Sequence, residues 1–162
     1  MQRTFTSKIH GLQHLDYWTR LQKLNIQSLQ RRQERYIIIQ MWKIFYNQVP
    51  NDLNIQFKYQ ERKGFCAAIK PLVNPNRKPQ TMYDNSFAVV GPKLWNLVYK
   101  QIRFINTSVE DFKKYLSKFL ELIPDQPPVN GYSRATNNSL LEWYPIINST
   151  NELSKRAQEL LP

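Results

Sequence analysis

The side chains with the greatest chemical reach in this 162-residue chain are two histidines, one cysteine and scattered carboxylates. His10 and His14 stand four apart, a spacing that on an unbroken helix turns both imidazoles to one face and suits a metal ion. Gly11 lies between them, and no cluster of Cys, Asp or Glu completes a set of ligands. The pair reads as two surface histidines. Cys66 sits between Phe65 and Ala67 in a segment that reads as strand, so a buried, inert thiol is expected rather than a nucleophile. Two-metal phosphoryl transfer needs several carboxylates converging on the ions. Asp16, Asp52 and Asp84 fall in different segments instead. Neither a P-loop nor GxGxxG occurs, and four glycines leave little material for a phosphate-cradling loop. The expectation is a chain with no catalytic residue, no cofactor and no metal. A small enzyme built on Cys66 is the least favoured alternative.

What the residues do offer is binding. Lys plus Arg number 23 against 12 acidic side chains, a net charge of +11. The first 105 residues hold 17 of the basic groups and five of the acidic ones. Residues 106–162 are close to neutral, with six and seven. A basic surface so placed attracts phosphates and releases their counterions on contact. An acidic membrane surface competes for the same charge. A solvated surface that binds nothing is the plain alternative.

The strongest signal lies in a helix predicted over about 28–47. At 100° per residue, Arg31, Arg32, Arg35, Ile39, Trp42, Lys43 and Tyr46 share an arc of about 120°. Guanidinium groups grip phosphates in bidentate fashion, and an aromatic stacks on an unpaired base. Trp42 and Tyr46 fit equally a helix buried all round, with the arginines marking its wet end. A second basic patch is Lys58, Arg62 and Lys63 at a hairpin tip, with Arg77 and Lys78 in the following loop. Solubility and protection of an edge strand would explain it as well.

The elements that must position these groups read as mainly helical α+β. A short helix ends near Gly11, and a second covers about 16–24. Ser28 is a good N-cap for the third, which Pro50 stops. Leu53, Ile55, Phe57 and Tyr59 alternate as in a half-buried strand, and 65–72 can return as its partner. A short strand is expected over 87–90, broken by Gly91-Pro92, with a helix carrying Leu94, Trp95 and Val98 after it. Val109, Phe112, Leu116, Phe119, Leu120 and Ile123 define the clearest amphipathic helix, opened by a capping-box-like Ser108 and Asp111. Residues 124–138 read as a linker, and 151–161 as a loosely attached last helix. The resulting division is a helical segment 1–48, a small α+β unit 49–123 and a trailing segment 124–162.

Several stretches taken together resemble one family. RTFTSKIHGLQHLDYWTRLQKL (3–24) with SLQRRQERYIII (28–39), then FAVVGPKLWNLVYKQIR (87–103) with DFKKYLSKFLELIPD (111–125), are similar to the region beyond the polymerase core in non-LTR, Jockey-like retrotransposon polyproteins. The resemblance covers about residues 2–143. It implies a segment beside the polymerase thumb that helps hold RNA or target DNA, with its basic helix at Arg31, Arg32 and Arg35. It also implies the polymerase core as a partner. The catalytic aspartates of such polyproteins lie upstream, so none is carried over. The match departs at Val98-Tyr99, where many relatives have Pro after L-W-N. A 5′-truncated element copy would account for the start at Met1. One alternative is an interaction remnant whose Trp18, Trp42, Trp95 and Trp143 partly line a face made for the missing core.

The opening MQRTFTSKIH has no apolar stretch, and a single cysteine forms no intrachain disulfide. An intracellular, non-secreted location, in cytoplasm or nucleus, is therefore expected. The apolar run from Tyr36 to Tyr46 is interrupted by Gln40 and Lys43 and falls short of the ~20 residues a membrane span needs.

Overall fold

Side-chain caps at Asp16, Ser28 and Ser108 set where three of the helices begin. The computed structural model describes residues 1–60, 65–69, 84–127, 138–148, 155, 156 and 159. Helix α1 is Gln2–Thr6 and α2 is Tyr17–Lys23. Asp16 caps α2, its Oδ1 accepting from Trp18 N at 2.9 Å and Thr19 N at 3.2 Å. That bonding, with the Thr19 hydroxyl as the largest cause, holds the carboxyl below its usual pKa. Helix α3, Leu29–Phe45, starts at Ser28, whose Oγ accepts from Arg31 N at 3.1 Å. Both α2 and α3 end on an asparagine with positive φ, Asn25 at 50° and Asn47 at 53°. Asparagine tolerates this left-handed conformation, and the next N–H then folds back onto the helix. Ile26 N donates to Leu21 O at 3.0 Å, and Gln48 N to Lys43 O at 2.8 Å. The tight end of α2 therefore feeds straight into the cap of α3.

The hairpin pairs β1, Gln56–Gln60, with β2, Phe65–Ile69, antiparallel, Gln56 facing Ile69 and Gln60 facing Phe65. The first strand begins three residues later than the alternation suggests. Asn51 explains the delay. Its side chain accepts from Ile55 N at 2.9 Å and donates to Ile55 O at 2.8 Å, closing a turn in which Asn54 takes φ 50°. Leu53 is left exposed and Ile55 is buried.

Helix α4, Phe87–Leu97, overturns the expected short strand, because it runs through Gly91 and Pro92. Pro92 removes one helical hydrogen bond. Burial of Val89, Leu94 and Trp95, each worth roughly 1.5–3 kcal/mol, offsets that loss. Gly91 belongs there for space: a Cβ at this position would stand 2.9 Å from Met41 Sδ on α3. Short α5, Lys100–Arg103, leads to α6, Val109–Glu121. Ser108 Oγ accepts from Asp111 N at 3.1 Å and donates to Asp111 Oδ2 at 2.8 Å. The aspartate thus returns to the cap's hydroxyl. Helix α7, Leu140–Asn148, is an addition to the elements expected from the sequence pattern. The helix expected over 151–161 lies largely outside the described residues.

The chain is thus mainly helical α+β. One hydrophobic core takes Ile38, Met41 and Trp42 from α3, Leu94 and Trp95 from α4, Phe112, Leu116 and Leu120 from α6, and Leu140 from α7. It runs across both positions 48 and 124. Among the described residues, no helix is long and apolar enough to cross a membrane.

Candidate nucleic-acid interface

Helix α3 carries the charged face, and the core boundary cuts that face lengthwise. Taking Arg31 as the origin, Trp42 falls at about 20°, Arg35 at about 40°, Arg32 at about 100° and Lys43 at about 120°. The side near the origin is interior. Arg31 is 1% exposed and Trp42 is fully buried. Further round, Arg32 is exposed and Arg35 and Lys43 are partly so, while Ile39 between them is buried in the core. An arc that looks continuous in sequence is therefore two surfaces with different neighbours.

Arg31 is a correction to the expected set of phosphate ligands. Its guanidinium donates to Pro124 O at 2.8 Å, Ile123 O at 3.2 Å, and Leu120 O and Asn138 O at 3.5 Å each. It gathers carbonyls at and just beyond the end of α6, where the chain leaves the helix. Burial is the main influence on its pKa and pulls it below the usual arginine value, while Asp125 and Glu34 push it back up. Asp125 accepts from Ser28 N and Ser28 Oγ, both at 2.6 Å, and stands 3.9 Å from Arg31 Nε. Asn138 Nδ2 donates to Ser28 Oγ at 2.8 Å and to Asp125 Oδ1 at 2.5 Å. One turn along α3, Glu34 accepts from Leu140 N at 3.0 Å and Ser139 Oγ at 2.5 Å. This clamp fixes the start of α3 to the end of α6 and the start of α7. A phosphate cannot reach Arg31 without dismantling it.

Trp42 is the second correction. Its ring stacks on Phe112 with centroids 4.9 Å apart and an interplanar angle of 15°. Tyr46 packs on the other side, 4.7 Å away, and its hydroxyl donates to Ile105 O at 3.3 Å. Trp42 is internal and Tyr46 is half-buried against the core. Trp95 is also fully buried, so Trp42 and Trp95 are core and not an orphaned interface. Trp143 is partly covered and donates its Nε1–H to Gln126 O at 2.5 Å.

On the wet side of α3 a cleft of about 590 Å³ opens between α2, α3 and the end of α6. Arg32, Arg35, Trp18 and Tyr36 line it. Gln22 and Asn25 from the end of α2 and Gln126 beyond α6 add amides. The tight α2–α3 connection brings Gln22 and Asn25 into the same cleft as the guanidiniums. Arg35 Nε donates to Ser117 Oγ at 3.3 Å, which steadies it across the cleft. Tyr36 is 66% exposed and also lines a second, shallower cleft with Gln40, Lys43, Phe87 and Lys113. The two clefts therefore share the Tyr36 wall along α3, with a cation at each end. Lys113 is the weaker cation, since its Nζ lies 2.6 Å from Glu110 Oε1. Two carboxylates, Glu121 and Asp125, also line the first cleft. Asp125 is already committed to Ser28, Asn138 and Arg31.

The remaining expected groups are not gathered here. Lys58 is exposed on β1 and lines neither cleft. Arg62, Lys63, Arg77 and Lys78 lie outside the described residues. His10 and His14 are both exposed on either side of the Gly11 turn, where φ is 81°. Among the described residues no group of three or more His, Cys, Asp or Glu gathers as for a metal ion.

Sequence reasoning passed over Tyr36 and named Trp18 only as part of an alternative interface, whereas both line this cleft. Tyr36 falls about 140° from Arg31, beyond the edge of the arc drawn around the arginines. Family models, curated proteins and solved structures yield no match to this chain.

Proposed function

We propose that this chain is a non-catalytic nucleic-acid-binding module, gripping phosphates along the wet face of α3. The observation that carries the reading is the convergence of Arg32 and Arg35 on one cleft with the exposed ring of Tyr36. Guanidiniums supply charge-assisted, bidentate contacts to phosphate. Lys43 extends the positive line beyond Tyr36. No particular base sequence is required by such contacts. The role agrees with the one implied by the similarity to post-polymerase segments of Jockey-like retrotransposon polyproteins, where the polymerase core would be the partner.

The test is fluorescence-anisotropy titration of a labelled single-stranded RNA at several salt concentrations. Affinity should fall steeply with salt. For a single strand the logarithmic slope should drop by roughly 0.7 for each phosphate that is no longer neutralised, so an Arg32→Gln/Arg35→Gln/Lys43→Gln variant should be visibly flatter. Arg31 is left unaltered, because its replacement would disturb the fold. Absence of binding at low salt by the folded protein would overturn the proposal.

One further observation favours a second reading, a module that docks on a protein core. Phe5 is 70% exposed, and Leu29, whose N–H is held at 3.0 Å by Gln2 Oε1, is 52% exposed. Apolar groups of this kind at the end of α1 and the start of α3 suit a protein partner. Salt-insensitive self-association without RNA binding would select that reading.

A further inference from the structure

The cleft between α2, α3 and α6 contains more than phosphate ligands, and its other groups specify what sits beside the phosphate. Trp18 and Tyr36 both line it, the first partly exposed and the second largely so. Gln22, Asn25 and Gln126 contribute side-chain amides, each with a donor and an acceptor. Arg32 and Arg35 contribute fixed positive charge. A groove made only for a duplex backbone needs the cations and has no use for aromatic faces inside it. The volume, about 590 Å³, lies within the range of small-ligand pockets and is too small to admit a double helix.

We propose that this cleft holds one unpaired nucleotide of a single strand, its base against Trp18 and Tyr36 and its phosphate at Arg32 and Arg35. The proposal rests on the nucleic-acid reading above and sharpens it. The base supplies a π-face for the rings and an edge of donors and acceptors for the amides. A paired base in a helix hides its faces in the stack and its edge in the pair. Binding should therefore favour single strands. Base and phosphate are common to RNA and DNA, so strands of either sugar should bind within a few-fold of each other. Trp42, the aromatic that the sequence pattern offered for stacking, plays no part because it is sealed inside the core.

The experiment uses the intact chain and three RNA probes with the same number of phosphates: a normal single strand, the same strand with abasic residues, and a hairpin duplex. Each is titrated by anisotropy at one low salt concentration. The abasic strand and the duplex should each bind about tenfold or more weakly than the normal strand, in keeping with the usual strength of base–aromatic stacking. A Tyr36→Ala variant should lose most of that preference while keeping its affinity for the abasic strand, and Tyr36→Phe should retain the preference. Equal affinity for all three probes, abolished in Arg32→Gln/Arg35→Gln, would overturn the proposed base site and leave phosphate gripping intact. No binding of any probe by the folded protein would remove both. The comparison among probes needs no altered protein, so a variant that fails to fold does not spoil it.

Discussion

Arg31 and Arg32 are neighbours in sequence and border the same cleft, yet Arg31 is 1% exposed and Arg32 is open to solvent. Arg31 is sealed within the clamp of Ser28, Asp125 and Asn138, its guanidinium spread over backbone carbonyls. Arg32 is exposed and lines a cleft with Tyr36 and Trp18. A step of about 100° around one helix turns the same side chain from a structural strut into a surface cation. Charge composition counts both alike. Only the packing of α6 and α7 against one side of α3 separates them.

This contrast is open to direct attack, beginning on the buried side. Trp42→Ala should lower stability by about 3–5 kcal/mol, because a large ring packed against Phe112 and Tyr46 leaves a cavity. Denaturant unfolding measures it, and a loss below about 1 kcal/mol would show that the ring is not core. Arg31→Met should cost about 3 kcal/mol, somewhat less because the methionine still fills space. The loss comes from the carbonyls that Arg31 bonds and from the Asp125 carboxylate, which keeps Ser28 and Asn138 but loses its counter-charge. Asn138→Ala, which cuts two bonds of the clamp, should cost about 1–2 kcal/mol by the same measurement.

Arg32→Gln marks the other side of the comparison. Its stability should stay within about 0.5 kcal/mol of the parent, as for an exposed position. Thermal or chemical unfolding with a larger loss would mean that Arg32 shares the structural role of Arg31.

The smallest expected effect is in alkali. Burial, the largest cause in each case, raises the pKa of Tyr17, Tyr46 and Tyr144 above the ordinary value of 10.0. Below that value the phenols are neutral in both folded and unfolded chains. As pH rises past it, the unfolded chain ionises first, so stability falls progressively through the raised folded values. The denaturation midpoint should drop across this window, and Tyr46→Phe should lessen the drop. A midpoint indifferent to pH there would contradict the burial of these rings.

Much of the fold was legible because it depends on local chemistry. Ser28 and Ser108 cap the helices expected of them, and the apolar stripe Phe112, Leu116, Phe119 and Leu120 is buried as its spacing requires. Non-local packing was harder to see. Gly91-Pro92 carries a strong breaking signal, yet the close approach of α4 to Met41 and the burial of Trp95 keep the helix intact. Pro145 obscured α7 in the same way, although Leu140, Leu141, Tyr144 and Ile147 keep helical spacing. For the candidate site, the pattern drew one phosphate-binding arc on α3, and of its members Arg32, Arg35 and Lys43 have access to solvent. It included Arg31 and Trp42 and omitted Tyr36, because the position of the core boundary depends on partners about 80 to 110 residues away in sequence.

The most direct measurement is the affinity of an Arg32→Gln/Arg35→Gln variant for single-stranded RNA at low salt, beside the parent chain and with the fold of each verified by circular dichroism. Removing two charge-assisted bonds to phosphate should weaken binding by about a hundredfold or more, at about 1.5 kcal/mol or more for each bond to a charged group. Unchanged affinity in the folded variant would contradict the central claim, since the wet face of α3 would then not be where nucleic acid is held.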